Sequence, residues 1–327
     1  MPITNNNLEN IPLQAIDRQD SLTDFSLNPV PDALKDSIQE IGVIHPVLLA
    51  NSGDRFRIIC GHRRVAACES LSLTEIPTLT AQSDLSDETL IKLNLTENRA
   101  HRSYSDVEKA RVLRKLRGAD VSEKIIIEKY MPLMGMERSK KWYEDLSAID
   151  RLSPALQKLL HESNVPVRNF YPLLKWDAAS CDAAESLFAV VRPGINKWRD
   201  LLELLDETAR IENLSPAELL HREEIQTVLA QNDLQAHEKY DQIVQTIIPW
   251  RTPVLAGLRK KIAQTLDKLS LGPQTKIRIQ ESLEIDDIKI EIKGRDTKSL
   301  AREVDRLAEA ARSDAMTELL RILKELK

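Results

Sequence analysis

Cysteine, aromatic residues and long apolar runs are all scarce in this chain of 327 residues. The three cysteines, Cys60, Cys68 and Cys181, show no metal-type spacing and cannot build a disulfide framework, which points to a reducing compartment. Aromatics are 4% of the residues, but hydrophobic residues reach 42%, enough apolar material for real cores. No run approaches the length needed to span a bilayer. The opening Met-Pro-Ile-Thr-Asn-Asn-Asn lacks the basic and apolar regions of a signal peptide. These absences point to a cytoplasmic protein without a membrane segment, built from about two or three domains.

Charge is unevenly spread. The net charge is −5, yet from Arg99 to Lys175 there are 16 Lys and Arg against 10 Asp and Glu. A basic middle inside an acidic protein points to a nucleic-acid surface.

Arg55–Ala67 is the most informative stretch. Phe56, Ile58 and Cys60 alternate with Arg55 and Arg57, the period of a half-buried strand, and Gly61 then breaks it. Val65–Leu73 reads as a helix, so Gly61, His62, Arg63 and Arg64 stand where a strand hands over to a helix. Free backbone N–H groups and the helix dipole favour an anion there, and arginine forks match phosphate oxygens. The junction therefore suits a nucleoside triphosphate; a tight turn with two solvated arginines is the plainer alternative.

Around this junction the chain reads β-α-β-β-α-β. A strand is expected within Ile11–Ile16, a helix after Pro31 carrying Leu34, Ile38 and Ile41, then strands over Pro46–Asn51, Arg55–Cys60 and Ile76–Ala81. A small mixed α/β domain of roughly 80 residues follows from that order. Ser86–Asn98 reads as a helix whose end, Glu97 and Asn98, offers a carboxylate and an amide for a hydrated Mg²⁺, or is simply a polar helix end. Ser105-Asp-Val-Glu108 is a capping box for the next helix. Ser122 then caps a helix bearing Ile125–Ile127, Met131–Met136 interrupts it, and Arg138–Ile149 forms a second helix. Such a pair fits a helix-turn-helix DNA reader, with Arg138, Ser139, Lys140 and Lys141 as groove or phosphate contacts. Further helices fill 176–235, with Trp198, Leu201, Leu205 and Ala209 on one stripe, and Pro166–Leu174 begins another helix. Pro249–Pro253 marks a boundary. Beyond it come a helix, the alternating strands Lys276–Ile279 and Ile288–Ile292, and two helices. A lone two-stranded ribbon is marginal, so helices or a second copy would cover it.

The order of these motifs resembles the ParB family of DNA-partition proteins, whose N-terminal domain shares its fold with sulfiredoxin. The matching stretches are Ile11-Pro-Leu, Ile41-Gly-Val-Ile-His-Pro-Val47, Gly61-His-Arg-Arg64 before Ala66 and Ala67, Ile76-Pro77, Glu97-Asn98 and Ser105-x-x-Glu108-x-Ala110. They cover residues 10–175, about half of the chain. The resemblance implies an α+β, predominantly helical protein. Its expected parts are a disordered leader (1–9), a ParB/sulfiredoxin-like nucleotide-binding domain (10–100) and a helix-turn-helix DNA-binding domain (101–175). Beyond the resemblance, residue pattern adds a helical middle (176–250) and a C-terminal ββα module (251–327) that either dimerises or stands as a self-contained small domain. The resemblance implies CTP with Mg²⁺: Gly61, His62, Arg63, Arg64, Asn98, His101 and Arg102 at the nucleotide, and Glu97 with Asn98 at the metal and hydrolytic centre. It also implies a homodimer on double-stranded DNA, nucleoid-associated, that CTP closes into a clamp.

The chain departs from the family pattern in several places. His62 replaces the usual Glu of Gly-Glu-Arg-Arg, and the arginine expected after Glu97-Asn98 comes one place late, as Arg102 after His101. The family's polar segment with its Pro and Arg is absent from Asp17–Asn28, and the leader is too short for the peptide that stimulates a ParA-type ATPase. These departures argue against CTP hydrolysis and more strongly against a ParA partner. They leave open a DNA-binding transcription regulator that has lost nucleotide chemistry. Sulfiredoxin chemistry is not expected, because the nucleophilic cysteine's place is taken by His62 and Cys60 reads as a buried structural thiol. A small nuclease or other phosphate-acting enzyme would need converging carboxylates, and only Glu97 with the distant Asp87 and Glu88 is on offer.

Overall fold

The computed structural model describes residues 8–81, 85–279, 288–294 and 296–324, and these divide into two compact units, residues 1–243 and 244–327. The first unit opens with a four-stranded sheet of β1 (Leu8–Pro12), β2 (Val47–Ser52), β3 (Arg55–Cys60) and β4 (Glu75–Ala81). Its order is β1-β4-β2-β3. The central pair β4 and β2 is parallel and both outer pairs are antiparallel. Helices α1 (Asp32–Ile41) and α2 (His62–Ser70) contribute Ile38, Val65 and Cys68 to a core with Ile11, Val47, Leu49, Ile58 and Ile76. Helix α3 (Asp87–Asn98) brings Leu90 to the second core, over Leu48, Ala50, Ile59 and Cys60. Alternation sorts Val47 and Leu49 to one side and Leu48 and Ala50 to the other.

Several local expectations shift. The first strand begins at Leu8 rather than Ile11, so part of the expected leader is in the sheet, and Leu13–Ala15 is a 3-10 turn pinned by Leu13 N–H donating to the Thr74 carbonyl at 3.0 Å. Residues 1–7 of that leader lie outside the described residues. β3 is not half-buried along its length. Its partners on β2 skip Ile59, a bulge that breaks the alternation, and α3 covers the second face, so Ile58, Ile59 and Cys60 are all buried. Helix α2 starts three residues earlier than the apolar pattern indicates, which puts His62, Arg63 and Arg64 in its first turn.

The rest of the first unit is helical. Helix α4 (Asp106–Gly118) carries the expected capping box at Ser105 and Glu108. It is followed by α5 (Glu123–Ile125), a π turn (Ile126–Tyr130), α6 (Met131–Leu133), α7 (Lys140–Ala148) and α8 (Pro154–Glu162). The helix expected from Pro166 is instead two 3-10 turns, Val167–Asn169 and Tyr171–Leu174, because Pro172 cannot supply an N–H to a longer helix. Next come α9 (Ala178–Val191), α10 (Ile195–Glu212), α11 (Pro216–Leu220) and α12 (Glu223–Ala230). Trp198, Leu201, Leu205 and Ala209 are buried as the stripe on α10 requires, and Trp198 stacks on Phe188 with ring centroids 3.6 Å apart. Pro249 does not mark the boundary: it lies inside α13 (Ala236–Arg251), and the division falls earlier in that helix. The second unit pairs β5 (Thr275–Ile279) with β6 (Ile288–Ile292) and adds α14 (Pro253–Lys268), α15 (Thr297–Ala311) and α16 (Asp314–Lys324). Ile277, Ile279 and Ile288 from the ribbon pack with Ile262, Met316, Leu319 and Ile322 from the helices.

The strand-to-helix turn after β3 is made by Gly61 at φ +106°, in the left-handed region, with no room for a side chain. A Cβ there would stand 2.7 Å from Val47 Cγ1. Gly61→Ala therefore combines backbone strain with overpacking and is expected to cost about 2–4 kcal/mol, read as a lowered midpoint in chemical denaturation.

Candidate functional site

The first turn of α2 opens onto a cleft of about 500 Å³. Gly61, His62, Arg63 and Arg64 form one wall; Asn94, Asn98, His101 and Arg102, at the end of α3 and just beyond, form another. A third wall comes from Asp17–Asn28, noted in the sequence only as a departure from the family pattern and assigned no site residue, which contributes Thr23, Asp24, Ser26 and Asn28.

That segment has little regular structure, so side chains hold it. Phe25 is fully buried, and Arg57 bridges Asp20 at 2.6 Å and Asp87 at 2.8 Å. Burial alone would raise the Asp20 carboxyl, but the Arg57 hydrogen bond and charge hold it below its ordinary value. Thr23 is a junction. Its hydroxyl donates to the Ile58 carbonyl and accepts from His62 Nε2 at 2.8 Å, since its single proton is already used. Asn94 Nδ2 donates to the Ile59 carbonyl at 2.6 Å and more weakly to the Thr23 carbonyl at 3.4 Å. The polar Asn94 among Leu90, Ile91 and Leu95 on α3 is the sequence feature that could have pointed to a buried partner here.

The cations of the cleft are held to different degrees. Arg64 Nη1 is tied to the His45 and Pro46 carbonyls at 2.6 and 2.7 Å, so it braces the loop before β2. Among the described residues Arg63 Nη2 donates only to Ser26 Oγ, at 2.6 Å, which leaves most of its fork for an anion. Arg102 Nη2 reaches Glu108 Oε1 at 2.8 Å, and that buried carboxylate also accepts the Ser105 N–H of the capping box. His101 is exposed and lines the cleft.

The two metal candidates do not line the cleft together. Glu97 is exposed and absent from the cleft wall, whereas Asn98 lines it with its amide nitrogen donating to the Asn94 carbonyl at 2.9 Å. Neighbouring helical residues project about 100° apart, so the adjacency that suggested a metal site in sequence separates the two side chains. Among the described residues no three His, Cys, Asp or Glu gather as a metal set. Glu97 instead stands near Cys60, whose thiol is pushed well above its usual range by burial and by that carboxylate, the state of an inert thiol.

Residues 2–99 match the ParB N-terminal domain family. The chain carries a ParB N-terminal domain. A probable chromosome-partitioning protein ParB of Neisseria meningitidis is 38% identical over 84 residues, 25% of this chain and 29% of that protein. The chain thus spans about three tenths of the length of such relatives. A probable plasmid-partitioning protein ParB of Thermus thermophilus is 25% identical over 262 residues, 77% of this chain and 80% of that protein. C-terminally truncated ParB of Caulobacter crescentus is similar in two solved structures. The one complexed with CTP-gamma-S has a TM-score of 0.23 at 19% identity, covering 48% of this chain and 86% of that one. The one complexed to the centromeric parS site has a TM-score of 0.35 at 15% identity, covering 60% and 98%.

C-terminal to the ParB N-terminal domain, the basic helix pair takes a defined form. Pro132 has no N–H, so the Glu128 carbonyl four residues back loses its α-helical donor beside the π turn. Arg138 Nε donates to that carbonyl at 3.2 Å, so Arg138, expected as a DNA contact, is in part a structural stitch. Ser139 caps α7 by accepting the Trp142 N–H at 3.3 Å. Lys140 and Lys141 are exposed at the start of α7 and each faces a carboxylate one turn on, Glu144 at 3.8 Å and Asp145 at 3.0 Å.

Burial holds the His62 imidazole below its ordinary value of 6.5; Asp24 and Asp20 oppose this, and Arg18 and Lys115 reinforce it. The unfolded chain takes up a proton near that value that the folded chain refuses, so the stability His62 contributes is complete above it and is lost as pH falls. Thermal melts between about pH 7 and pH 5 should decline less steeply for His62→Gln than for the wild type.

Proposed function

We propose that this chain is a ParB-like DNA-binding partition protein whose N-terminal domain takes CTP in the cleft at Gly61–Arg64. One observation carries the reading: on the domain with the ParB match, Arg63, His101 and Arg102 converge on a single open polar cleft at the start of α2. The triphosphate would lie along this wall, on the backbone N–H groups of the first helical turn and the free part of the Arg63 fork. CTP would act as a switch by adding contacts between α2, the end of α3 and the Thr23–Asn28 segment, elements that meet across the cleft. A ligand shifts such an equilibrium only through interactions that differ between the two states. Magnesium would come with the phosphates, which supply most of its ligands. The proposal assigns no hydrolytic role to Glu97.

The organisation we propose is a nucleotide module over 10–100, a helix-turn-helix module over 101–175 and a helical region beyond it. A C-terminal ββα module would self-associate, making the DNA-bound form a homodimer. In the DNA module, Ser139, Lys140 and Lys141 at the start of α7 would meet the duplex. Among the described residues no helix is long and apolar enough to cross a membrane.

Calorimetric titration of CTP, ATP and GTP with Mg²⁺ tests the nucleotide reading. CTP is expected to bind selectively and Arg63→Ala to weaken it at least about tenfold, through removal of a charge-assisted hydrogen-bond donor; no binding of any triphosphate, with or without DNA, would reduce the cleft to a structural turn. For the DNA reading, Lys140→Ala with Lys141→Ala should weaken duplex binding across sequences and flatten its salt dependence by about 0.9 in log–log slope for each phosphate no longer neutralised. An unchanged titration removes both lysines from the interface.

A further inference from the structure

The turn Tyr171–Leu174 packs against α7, and around it two lysines far apart in sequence meet one aromatic ring. Lys141 Nζ lies 4.9 Å from the Tyr171 ring centroid and Lys175 Nζ lies 4.4 Å from it. Phe170 and Leu173 are buried, and the Lys175 N–H closes the turn onto the Pro172 carbonyl at 2.9 Å, so Tyr171 and Lys175 are set on a rigid frame. Lys141 has Asp145 at 3.0 Å, whereas no carboxylate among the described residues pairs with Lys175. Cation–π contact favours each lysine on the ring, and with Lys141 paired to Asp145 the Lys175 ammonium is the charge left for an anion to offset.

We propose that Lys175, Tyr171 and Lys141 form a clamp for a backbone phosphate of duplex DNA, flanking the start of α7. The inference rests on the DNA-binding reading above and extends it to a segment that sequence pattern had read only as a helix start. The ring cradles the ammonium groups, which favours a phosphate ligand over a stacked base of single-stranded nucleic acid. Because the lysines are already ordered, little side-chain freedom is given up when a phosphate arrives. The contact carries no base information and serves as an anchor for register.

Fluorescence anisotropy with a short mixed-sequence DNA duplex, repeated over a salt series, tests this on the full chain. Lys175→Gln is expected to weaken binding several-fold and to lower the log–log salt slope by about 0.9, the value for one phosphate. Tyr171→Leu should weaken binding as well, since it scatters the two lysines, while Tyr171→Phe retains the ring and the affinity. Lys92→Gln, at an exposed lysine of α3, is the control and should match the wild type. If Lys140→Ala with Lys141→Ala abolishes binding while Lys175→Gln keeps the wild-type slope, the DNA reading stands and the clamp is overturned. A wild type that binds no duplex overturns both. Equal weakening in Tyr171→Phe and Tyr171→Leu would overturn the role of the ring.

Discussion

The N-terminal domain depends on one close approach, between the backbone of Gly61 and the side chain of Val47. Edge strand β3 pairs with β2, and the chain must leave β3 sharply enough to lay α2 over the sheet. With φ at +106° and Val47 against the place of a Cβ, only glycine makes that departure without strain. The α2 wall of the cleft inherits its position from this turn. Arg63 and Arg64 stand where they do because the helix begins immediately after it.

Polar contacts then complete what the turn begins. The Thr23–Asn28 wall is held by Arg57 through Asp20 and by His62 and Asn94 through Thr23, with Phe25 as its apolar anchor. Several of these groups are buried, where a broken hydrogen bond leaves an uncompensated partner, so the wall's shape is well determined despite its lack of helix or strand. On the far side, Glu108 caps α4, accepts Arg102 and faces the Leu27 N–H at 3.4 Å. His161 of α8 joins the same web, bonding Ser105 Oγ at 2.8 Å and Asn28 Oδ1 at 2.9 Å. The cleft is thus lined by residues whose second partners lie in the helical part of the same unit.

The two arginines of Gly61–Arg64 are unequal, which their adjacency in sequence conceals. Arg64 commits Nη1 to two backbone carbonyls, and Arg63 commits Nη2 to one hydroxyl, so Arg64 is the more firmly tethered of the two. The same division separates Arg138, stitched to the carbonyl that Pro132 leaves without a donor, from Lys140 and Lys141. A cation tethered to backbone carbonyls has fewer donors to offer a ligand than one held by a single hydroxyl or by a surface carboxylate.

Local pattern determined the element order of the N-terminal domain, the capping box at Ser105, the apolar stripe on α10 and the glycine turn that carries the arginines. Each depends on residues within about one or two helical turns, the range over which periodicity and capping act. Tertiary structure alone decided that Thr23, Asp24, Ser26 and Asn28 wall the cleft, that Glu97 is not among the residues lining it, and that Lys175 meets Lys141 on Tyr171. It also decided that Ile59 is buried, since the covering α3 comes about 30 residues later in the chain. These are contacts between segments distant in sequence, fixed by how sheet and helices close their shared cores, and no local periodicity encodes them.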